Sequence, residues 1–335
     1  MTTLKIRPHI GERKHPVLAE ALPRTPIAKL FAPIVDLVKL NDATGQLDDD
    51  TLVWDLQGFF DSPNVDKARD LRFWKDSTGK LIGFGQLLIS QQKDEISSYL
   101  YFDVHPTWHG EIIETEILQW SEQRMHEIGK DCTLPIKLHT CSRDDKILRR
   151  VLLERQGFTT ERSFLTMACS LNQDFCSSSL PSGFRLQQLS WEQNIEAWVE
   201  LFNESFIDHW NHQDLTVATA RDEFKNQSYL PELNLIAVAP DGTFAAFCLG
   251  YINWEENARS GRKEGWIKLL GTRQNFRKLG LGKAMLIAAI KQLKAMGIEQ
   301  VKLGVDAQNL TSATRLYESV GFHPVNTWLS YFKDI

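Results

Sequence analysis

An arginine and two glycines with close spacing stand at the start of an apolar stretch in the second half of the chain. The segment "FRKLGLGKAM" covers residues 276–285 and contains Arg277, Gly280 and Gly282. When a glycine-containing turn leads into a helix, backbone N–H groups at the helix start have no intrahelical partner, and the helix dipole adds partial positive charge. Such a start binds phosphate groups, because glycine lets an anion approach the backbone closely. Arg277 and Lys278 would add positive charge at the rim.

Hydrophobic periodicity predicts the elements that position this turn. Residues 243–254 and 264–272 have the apolar content of paired strands, and the polar segment between them predicts a hairpin connection. An apolar stripe from Leu281 to Leu293 predicts an amphipathic helix that ends at Gly297. Three further elements follow: a strand at 300–306, a short helix at 311–322 and a last strand at 326–333.

The chain also contains a divergent internal repeat. "LLERQGF" at 152–158 matches "LYESVGF" at 316–322, with an offset of 316 - 152 = 164. Residues 104–118 align with 272–286, with an offset of 272 - 104 = 168. Such self-similarity predicts two related domains.

The domain boundaries follow from the repeat and from composition. The loop at 129–135 is longer than its counterpart at 297–300, and it would absorb the difference between the two offsets. A segment rich in Ser, Pro and Gly at 172–183 predicts a linker. The sequence therefore predicts a first domain at 1–171 and a second at 184–335.

The second domain resembles the GNAT family of N-acetyltransferases between about residues 264 and 323. The resemblance lies in a strand ending "LLGT", the Arg277-x-x-Gly280-x-Gly282 turn, an amphipathic helix, and an asparagine followed by "RLYESVGF". The tandem layout and "NESFIDHWNH" at 203–212 resemble mycothiol synthase and its relatives within that family. The resemblance implies a mixed α/β fold, with two tandem GNAT-like domains that each contain a mostly antiparallel sheet flanked by helices.

The same resemblance implies acetyl-CoA as the acyl donor. Its pyrophosphate would bind at 277–283 and its pantetheine arm along the strand at 269–272. Tyr317 would act as general acid for the departing thiolate. The implied cofactor residues are Leu269, Leu270, Gly271, Thr272, Arg277, Lys278, Leu279, Gly280, Leu281, Gly282, Lys283 and Asn309. The implied acceptor residues are Asp208, His209 and Trp210.

The spacing between Asn309 and Tyr317 departs from the usual family pattern. Most members have seven residues from one to the other, whereas here the difference is 317 - 309 = 8. This longer spacing again resembles mycothiol synthase and its relatives. The role of Asn309 is therefore less firmly implied than that of the glycines.

The residue that takes the proton from the attacking amine is not fixed by any motif. Glu255, Glu256 and Glu264 flank the predicted hairpin and are candidate bases, with Glu264 as the leading one. Each also has the character of a solvated loop charge. Cys248 stands mid-strand without a nearby histidine in sequence, which is typical of an inert buried thiol, so direct attack by the amine is favoured over a covalent enzyme intermediate.

Asp208, His209 and His212 offer the carboxylate and imidazole groups that metal ions prefer. Only these three candidates are close together in sequence, and acetyl transfer of the GNAT type needs no metal. A helix cap or an acceptor contact is therefore the favoured interpretation, and no metal cofactor is predicted.

The first domain has lost the phosphate-binding residues of the second. The two offsets place His109, Ile112 and Glu114 at the positions of the arginine and the two glycines, and Leu153 at the position of the tyrosine. A carboxylate at the pyrophosphate position would repel the anion. The first domain is therefore predicted to be a degenerate repeat that supports the second.

Composition excludes several classes of protein. The 335 residues are 42% hydrophobic and 24% charged, with a formal net charge of -5, which is typical of a globular protein and gives no general basic surface for nucleic acid. The longest apolar stretch, 244–252, is too short to span a membrane. Five cysteines without CxxC spacing and a first segment without a signal-peptide pattern favour the cytoplasm.

The predicted function is that of an acetyl-CoA-dependent N-acetyltransferase that acts by direct attack of the primary amine of a small or aminoacyl compound. The alternative is a noncatalytic acyl-CoA-binding or sensing module. Tyr317 favours the enzyme, and the lack of an assignable base favours the alternative.

Overall fold

The structure is a computed structural model in which the placement of most of the chain is described. The described residues are 19–21, 33–38, 40, 66–91, 94–109, 112–130, 132–172, 175, 179–209, 212, 214–225, 229–308 and 313–335.

The chain divides into two units. The first consists of Met1–Glu161 together with Leu329–Ile335, and the second of Arg162–Trp328. These units group residues by contact, whereas the predicted domains, 1–171 and 184–335, group them by sequence repeat. The predicted boundaries therefore stay predictions, and part of the predicted linker lies outside the described residues.

The first unit is built on a mixed sheet with helices beside it. Its elements are β1 (Ala19–Ala21), β2 (Leu71–Lys75), β3 (Leu81–Gln91), β4 (Ile96–Val104), α1 (Ile112–Gly129), β5 (Ile136–Arg143) and α2 (Ile147–Arg155). Residues 33–38 form a further helical segment. The pairs β1/β2, β2/β3 and β3/β4 are antiparallel, and β4/β5 is parallel. The last strand of the chain, β12 (His323–Asp334), lies beside β5, and its residues from Leu329 onward belong to this unit.

The second unit has the same kind of sheet. Its elements are β6 (Thr159–Ser170), which enters the unit at Arg162, then β7 (Arg185–Gln188), α3 (Trp191–Phe206), α4 (Val217–Phe224), β8 (Asn234–Val238), β9 (Phe244–Tyr251), α5 (Trp254–Ser260), β10 (Glu264–Thr272), α6 (Leu281–Ala295), β11 (Gln300–Asp306) and α7 (Ala313–Glu318). The strand order is β6-β11-β10-β9-β8-β7, and within it only β10/β11 is a parallel pair among the described strands. Both units therefore have the predicted mixed α/β architecture, with a mostly antiparallel sheet flanked by helices.

From β4 and β10 onward, the two units repeat the same order of strand, helix, strand and helix at the predicted offsets. Strand β4 begins at Ile96 and β10 at Glu264, an offset of 264 - 96 = 168. Their parallel partners begin at Ile136 and Gln300, an offset of 300 - 136 = 164. The difference between the offsets therefore arises between these two strands of each unit, in the segment where the sequence predicts a longer loop in the first half.

Helix α6 packs on the sheet of the second unit with its predicted apolar stripe. The stripe residues are all buried: Leu281, Met285, Leu286, Ala289, Ile290 and Leu293. Gly297 follows the helix with a φ of 87°, a left-handed conformation that favours glycine. Packing and the glycine stop thus confirm the helix that the periodicity predicts.

Strands β9 and β10 pair antiparallel, as the predicted hairpin requires, but the segment that connects them contains helix α5. The side chain of Asn253 accepts a hydrogen bond from the backbone N–H of Glu256 at 3.0 Å and caps the helix start. Gly261, with a φ of 69°, follows its end. Asn followed three residues later by Glu is a capping signal in the sequence, and it outweighs the polar, loop-like composition.

Strand β10 passes very close to β9 and α3 at Gly271. A Cβ atom there would overlap the ring of Phe247 and would lie 2.9 Å from the Cβ of Ser205. Gly304 on β11 is the opposite case, since nothing lies within 4 Å of its Cβ position. Glycine at 271 is therefore required by packing, in addition to any role beside a ligand.

Of the helices that the structure describes, none has both the length and the apolar content needed to cross a bilayer.

We expect Gly271→Ala to lower the free energy of unfolding by about 1–3 kcal/mol, because the added methyl group overpacks the contact between β10 and Phe247. Gly304→Ala is the matched control and should change stability far less. Urea denaturation of the three proteins measures the difference. Equal stability of the two variants would contradict the close approach at Gly271.

Candidate active site

The parallel pair at the centre of the second unit separates partway along its length. Strands β10 and β11 pair from Glu264 with Gln300 to Ile267 with Leu303. Both strands continue, β10 to Thr272 and β11 further along the chain, but no further pair joins them among the described residues. One edge of β10 therefore carries backbone N–H and C=O groups that can bind a ligand in extended conformation. We call this gap the β10–β11 opening.

A β-bulge lies where this opening begins. In the antiparallel pair with β9, Ile267 faces Gly250 and Leu269 faces Leu249, so Lys268 is an extra residue on β10. A bulge bends the strand and changes the direction of the groups that follow it. No sequence pattern indicates this bulge, since Lys268 has no special turn chemistry.

The predicted phosphate-binding turn has the backbone geometry that such a site needs. Lys278 has a φ of 63° and Gly280 a φ of 84°. Gly280 is the N-cap residue of α6 and no side chain caps the helix there, so the first N–H groups of α6 remain available. The glycine at 280 is thus explained by its left-handed backbone. At Gly282 a Cβ would make only ordinary contacts with protein atoms.

The turn lies next to the end of β10 and to helix α7. The Cβ position of Gly282 is 3.4 Å from Leu316 Cδ2 and 3.8 Å from Thr272 Oγ1. The Nζ of Lys283 donates to the carbonyl of Ser319 at 3.4 Å, a long hydrogen bond. The structure therefore brings three predicted parts of the site together: the end of β10, the start of α6 and the helix that carries the tyrosine.

Tyr317 is buried on helix α7, with 8% of its surface exposed. Burial is the main cause that raises the pKa of its phenol above the ordinary value, and interaction with Cys248 adds to the shift. Burial also raises the pKa of the Cys248 thiol. At neutral pH both groups keep their protons, so Tyr317 has the protonation state of a general acid and Cys248 that of an inert thiol.

The guanidinium group of Arg277 makes three contacts within the protein. It donates to Asp208 Oδ2 at 2.7 Å, to the carbonyl of Thr272 at 3.2 Å and to the carbonyl of Ser205 at 3.0 Å. Hydrogen bonds from Arg277 and then Gln274 lower the pKa of Asp208. Arg277 therefore ties the turn to β10 and to the residues that follow α3.

This tie connects the predicted acceptor residues to the predicted cofactor turn. Asp208 bonds to Arg277 directly, and His209 stacks edge-on against Phe206 with ring centroids 5.8 Å apart. Two other predicted site residues, Trp210 and Asn309, lie outside the described residues.

The remaining predicted cofactor residues lie along the opening and the turn. Leu269 and Leu270 are half-buried on β10, and they pack against different clusters of the core. Leu279 is 49% exposed at the tip of the turn.

Glu264 lies at the opposite end of β10 from Thr272, roughly 26 Å away at the usual rise of about 3.3 Å per strand residue. Its carboxylate forms an ion pair with Lys302 at 2.9 Å, and Arg262 is 3.7 Å away. Glu256 pairs with Arg262 at 3.4 Å. This position does not support a role for Glu264 as the base. The ion pair with Lys302 could not be predicted from the place of Glu264 in the sequence.

No group of three or more His, Cys, Asp or Glu side chains suited to a metal ion occurs in the part of the chain that the structure describes. His212 lies beside Asp214, with His212 Nε2 and Asp214 Oδ1 3.1 Å apart.

The first unit keeps one contact of this segment but has other residues at the predicted site positions. His109, the counterpart of Arg277, donates from Nε2 to the carbonyl of Val104 at 2.6 Å, which is the counterpart of the Arg277 contact with Thr272. Glu114 takes the position of Gly282 and is buried, and Leu153 takes that of Tyr317. The shared carbonyl contact shows that this position ties the segment after the strand to the strand end in both units.

Residues 195–322 match the sequence model of the acetyltransferase (GNAT) family. One relative, a mycothiol acetyltransferase from Thermobispora bispora, is 28% identical over 166 residues, which are 50% of this chain and 55% of that protein. The chain spans 55%, 57% and 64% of the length of three curated relatives with that name. The match over residues 195–322 and these relatives confirm the predicted resemblance to the GNAT acetyltransferases.

Two solved structures have a similar fold over most of the length of this chain. A GCN5-related N-acetyltransferase from Sphaerobacter thermophilus has a TM-score of 0.74 and 22% identity, with 95% of each chain covered. A tandem GNAT protein from the clavulanic acid biosynthesis pathway has a TM-score of 0.69 and 12% identity, with 92% of this chain and 95% of that chain covered. These similarities confirm the predicted tandem GNAT fold.

We expect the stability contributed by Tyr317 to fall at alkaline pH. Below about pH 10 the phenol is protonated in both the folded and the unfolded chain, so it causes no pH dependence. Above that pH the unfolded chain loses the proton first, because the folded pKa is raised, and the free energy of unfolding decreases. Urea denaturation between pH 8 and pH 11 should show this decrease in the unmodified protein and a smaller one in Tyr317→Phe. Parallel pH curves would contradict the burial of the phenol.

Proposed function

We propose that the second unit binds acetyl-CoA and transfers its acetyl group to the primary amine of a small or aminoacyl acceptor. One observation carries the proposal: the β10–β11 opening has beside it both an uncapped helix start and a buried, protonated tyrosine. The GNAT match and the relatives named mycothiol acetyltransferase support acetyl transfer to a small molecule.

The residues around the opening fit the donor. The N–H groups at 281–283 would hold the pyrophosphate, with Arg277 and Lys278 adding charge at the rim. The free edge of β10 at 269–272 would pair with the amides of the pantetheine arm. Asn309 stays a proposed contact to the donor.

The chemistry requires a proton donor and a proton acceptor. When bound, acetyl-CoA supplies the acetyl group as a thioester. As the acceptor nitrogen bonds to the carbonyl carbon, the C–S bond breaks, and Tyr317 would donate its proton to the thiolate that leaves. The amine would lose its own proton to a base or to water. A backbone N–H at the bulge around Lys268 would polarise the carbonyl.

Asp208 and His209 would line the acceptor side, because Asp208 is tied to Arg277 at the end of the opening.

A second candidate function is a noncatalytic acyl-CoA-binding or sensing module. It is favoured by the ion pair of Glu264 with Lys302, which leaves the leading candidate base committed to another partner. The two functions share donor binding and differ in turnover.

A screen of the purified full chain against a panel of primary amines, with release of free thiol from acetyl-CoA as readout, tests the proposal. We expect turnover with at least one amine and binding of one acetyl-CoA per chain. Gly282→Glu should abolish binding, because it places a carboxylate at the proposed phosphate site, as the residue pair Gly282 and Glu114 distinguishes the two units in sequence.

Ala295→Glu is the matched control, since it adds the same side chain at the exposed C-terminal end of the same helix. It should retain binding. Both variants should keep the circular dichroism spectrum of the unmodified chain. Binding of acetyl-CoA without thiol release for any amine would favour the sensing module. Two comparable sites per chain, or binding that is retained in Gly282→Glu, would contradict the proposed donor site.

We expect Tyr317→Phe to lower kcat by about ten- to a thousandfold and to leave the affinity for acetyl-CoA nearly unchanged, because it removes one general acid and no donor contact. Steady-state kinetics together with calorimetry separate the two effects. Unchanged turnover, with the chemical step shown to be rate-limiting, would rule out the acid role.

A further inference from the structure

The first unit contains an opening like that of the second. Strands β4 and β5 pair from Ile96 with Ile136 to Tyr99 with His139. Beyond this point β4 continues to Val104 and β5 along the chain, without a further pair between them among the described residues. We call this gap the β4–β5 opening.

Two side chains of the first unit fill the β4–β5 opening. Thr140 Oγ1 donates to the carbonyl of Leu100 at 3.0 Å, and both residues are buried. The guanidinium of Arg149 lies 3.8 Å from the centre of the Phe102 ring, and its Nη2 donates to the carbonyl of Phe102 at 3.4 Å. Leu100 and Phe102 are residues of β4 just past the last pair, so these contacts occupy the groups that a ligand would use.

The second unit has no side chains of this kind at the equivalent positions. The offset of 164 relates Thr140 to Gly304 and Arg149 to Ala313, since 140 + 164 = 304 and 149 + 164 = 313. Nothing lies within 4 Å of the Cβ position of Gly304, so the space that Thr140 fills in one unit is open in the other. Ala313 ends at its Cβ and cannot reach β10.

The offset holds on both sides of these positions. Before them, the parallel registers of β5 and β11 fix it. After them, the two short helices end in the same way: Phe158 N–H donates to the carbonyl of Leu153 at 3.0 Å, and Phe322 N–H donates to the carbonyl of Tyr317 at 3.1 Å. Gly304 and Ala313 therefore correspond to Thr140 and Arg149 in the structure as well as in the sequence.

We propose that Gly304 and Ala313 are specificity-determining positions that keep the β10–β11 opening accessible to the pantetheine arm, and that Thr140 and Arg149 close the β4–β5 opening from within. The inference rests on the proposed function of the second unit. In the first unit a ligand amide would have to break the Thr140 and Arg149 contacts to make its own, so it would gain little net hydrogen bonding. In the second unit neither Gly304 nor Ala313 carries a side chain that could make these contacts.

The test transfers the two side chains to the second unit. The double variant Gly304→Thr/Ala313→Arg copies the first unit, and the reverse variant Thr140→Gly/Arg149→Ala is its matched control. Gly304 does not have a positive φ, so threonine fits its backbone. Calorimetry on the full chain should show acetyl-CoA binding at least tenfold weaker in the first variant and within about twofold of the unmodified chain in the control.

A second probe separates the opening from the phosphate site. ADP has a pyrophosphate and no pantetheine arm, so its affinity should be the same in the unmodified chain and in Gly304→Thr/Ala313→Arg. Acetyl-CoA binding within threefold of the unmodified chain in that variant, or an equal loss of ADP and acetyl-CoA binding, would overturn the inference.

Two further measurements separate this inference from a folding defect and from failure of the proposed function. If the double variant has a lower melting temperature than the unmodified chain, the single variants Gly304→Ala, Gly304→Ser and Gly304→Thr replace it in the test. In this series the affinity for acetyl-CoA should fall as the side chain becomes larger, while the melting temperature stays constant. An affinity that does not depend on size would refute the role of Gly304. Absence of acetyl-CoA binding by the unmodified chain would instead refute the proposed function, and with it any role for the opening.

Discussion

The separation of β10 from β11 is the constraint on which the candidate site depends. In a parallel sheet each strand normally satisfies the backbone groups of its neighbour, and buried groups without partners are costly. After Ile267 and Leu303 this pairing stops while β10 continues, so its edge needs other partners. The bulge at Lys268 sits where the strands part, and the start of α6 and helix α7 lie at the far end of β10.

This arrangement of strands occurs in both units, and the two units differ in the side chains beside it. Both units have a parallel pair that parts at the same register, a short turn after the strand and a side chain that bonds back to the strand end. In the first unit Thr140 and Arg149 supply the missing hydrogen bonds from within. In the second unit the backbone is left to other partners. On the proposed function, the difference between a supporting unit and a binding unit would lie in side chains at equivalent positions of the two units.

Charged residues of the candidate site also hold the fold together. Arg277 was predicted as rim charge for a pyrophosphate, yet its donors contact Asp208 and two backbone carbonyls. His109 makes one of the same contacts in the first unit, whose sequence has Ile112 and Glu114 in place of the two glycines. Arg277 can therefore place the turn and the segment after α3 relative to each other while it presents positive charge. Such double use links the predicted acceptor residues to the predicted donor site through one side chain.

The sequence alone determined the elements with strong periodicity, the two offsets of the repeat, the glycine turn and the GNAT resemblance, because these are recorded in short-range spacing. It also held a capping signal at Asn253 that the polar composition of the segment obscured. Only the tertiary structure decided the bulge at Lys268, the close approach at Gly271, the pairing of Glu264 with Lys302 and the filling of the first opening. Each of these depends on contacts between residues far apart in the chain. Local patterns report which face of an element is apolar, but they do not report which distant side chain will reach its edge.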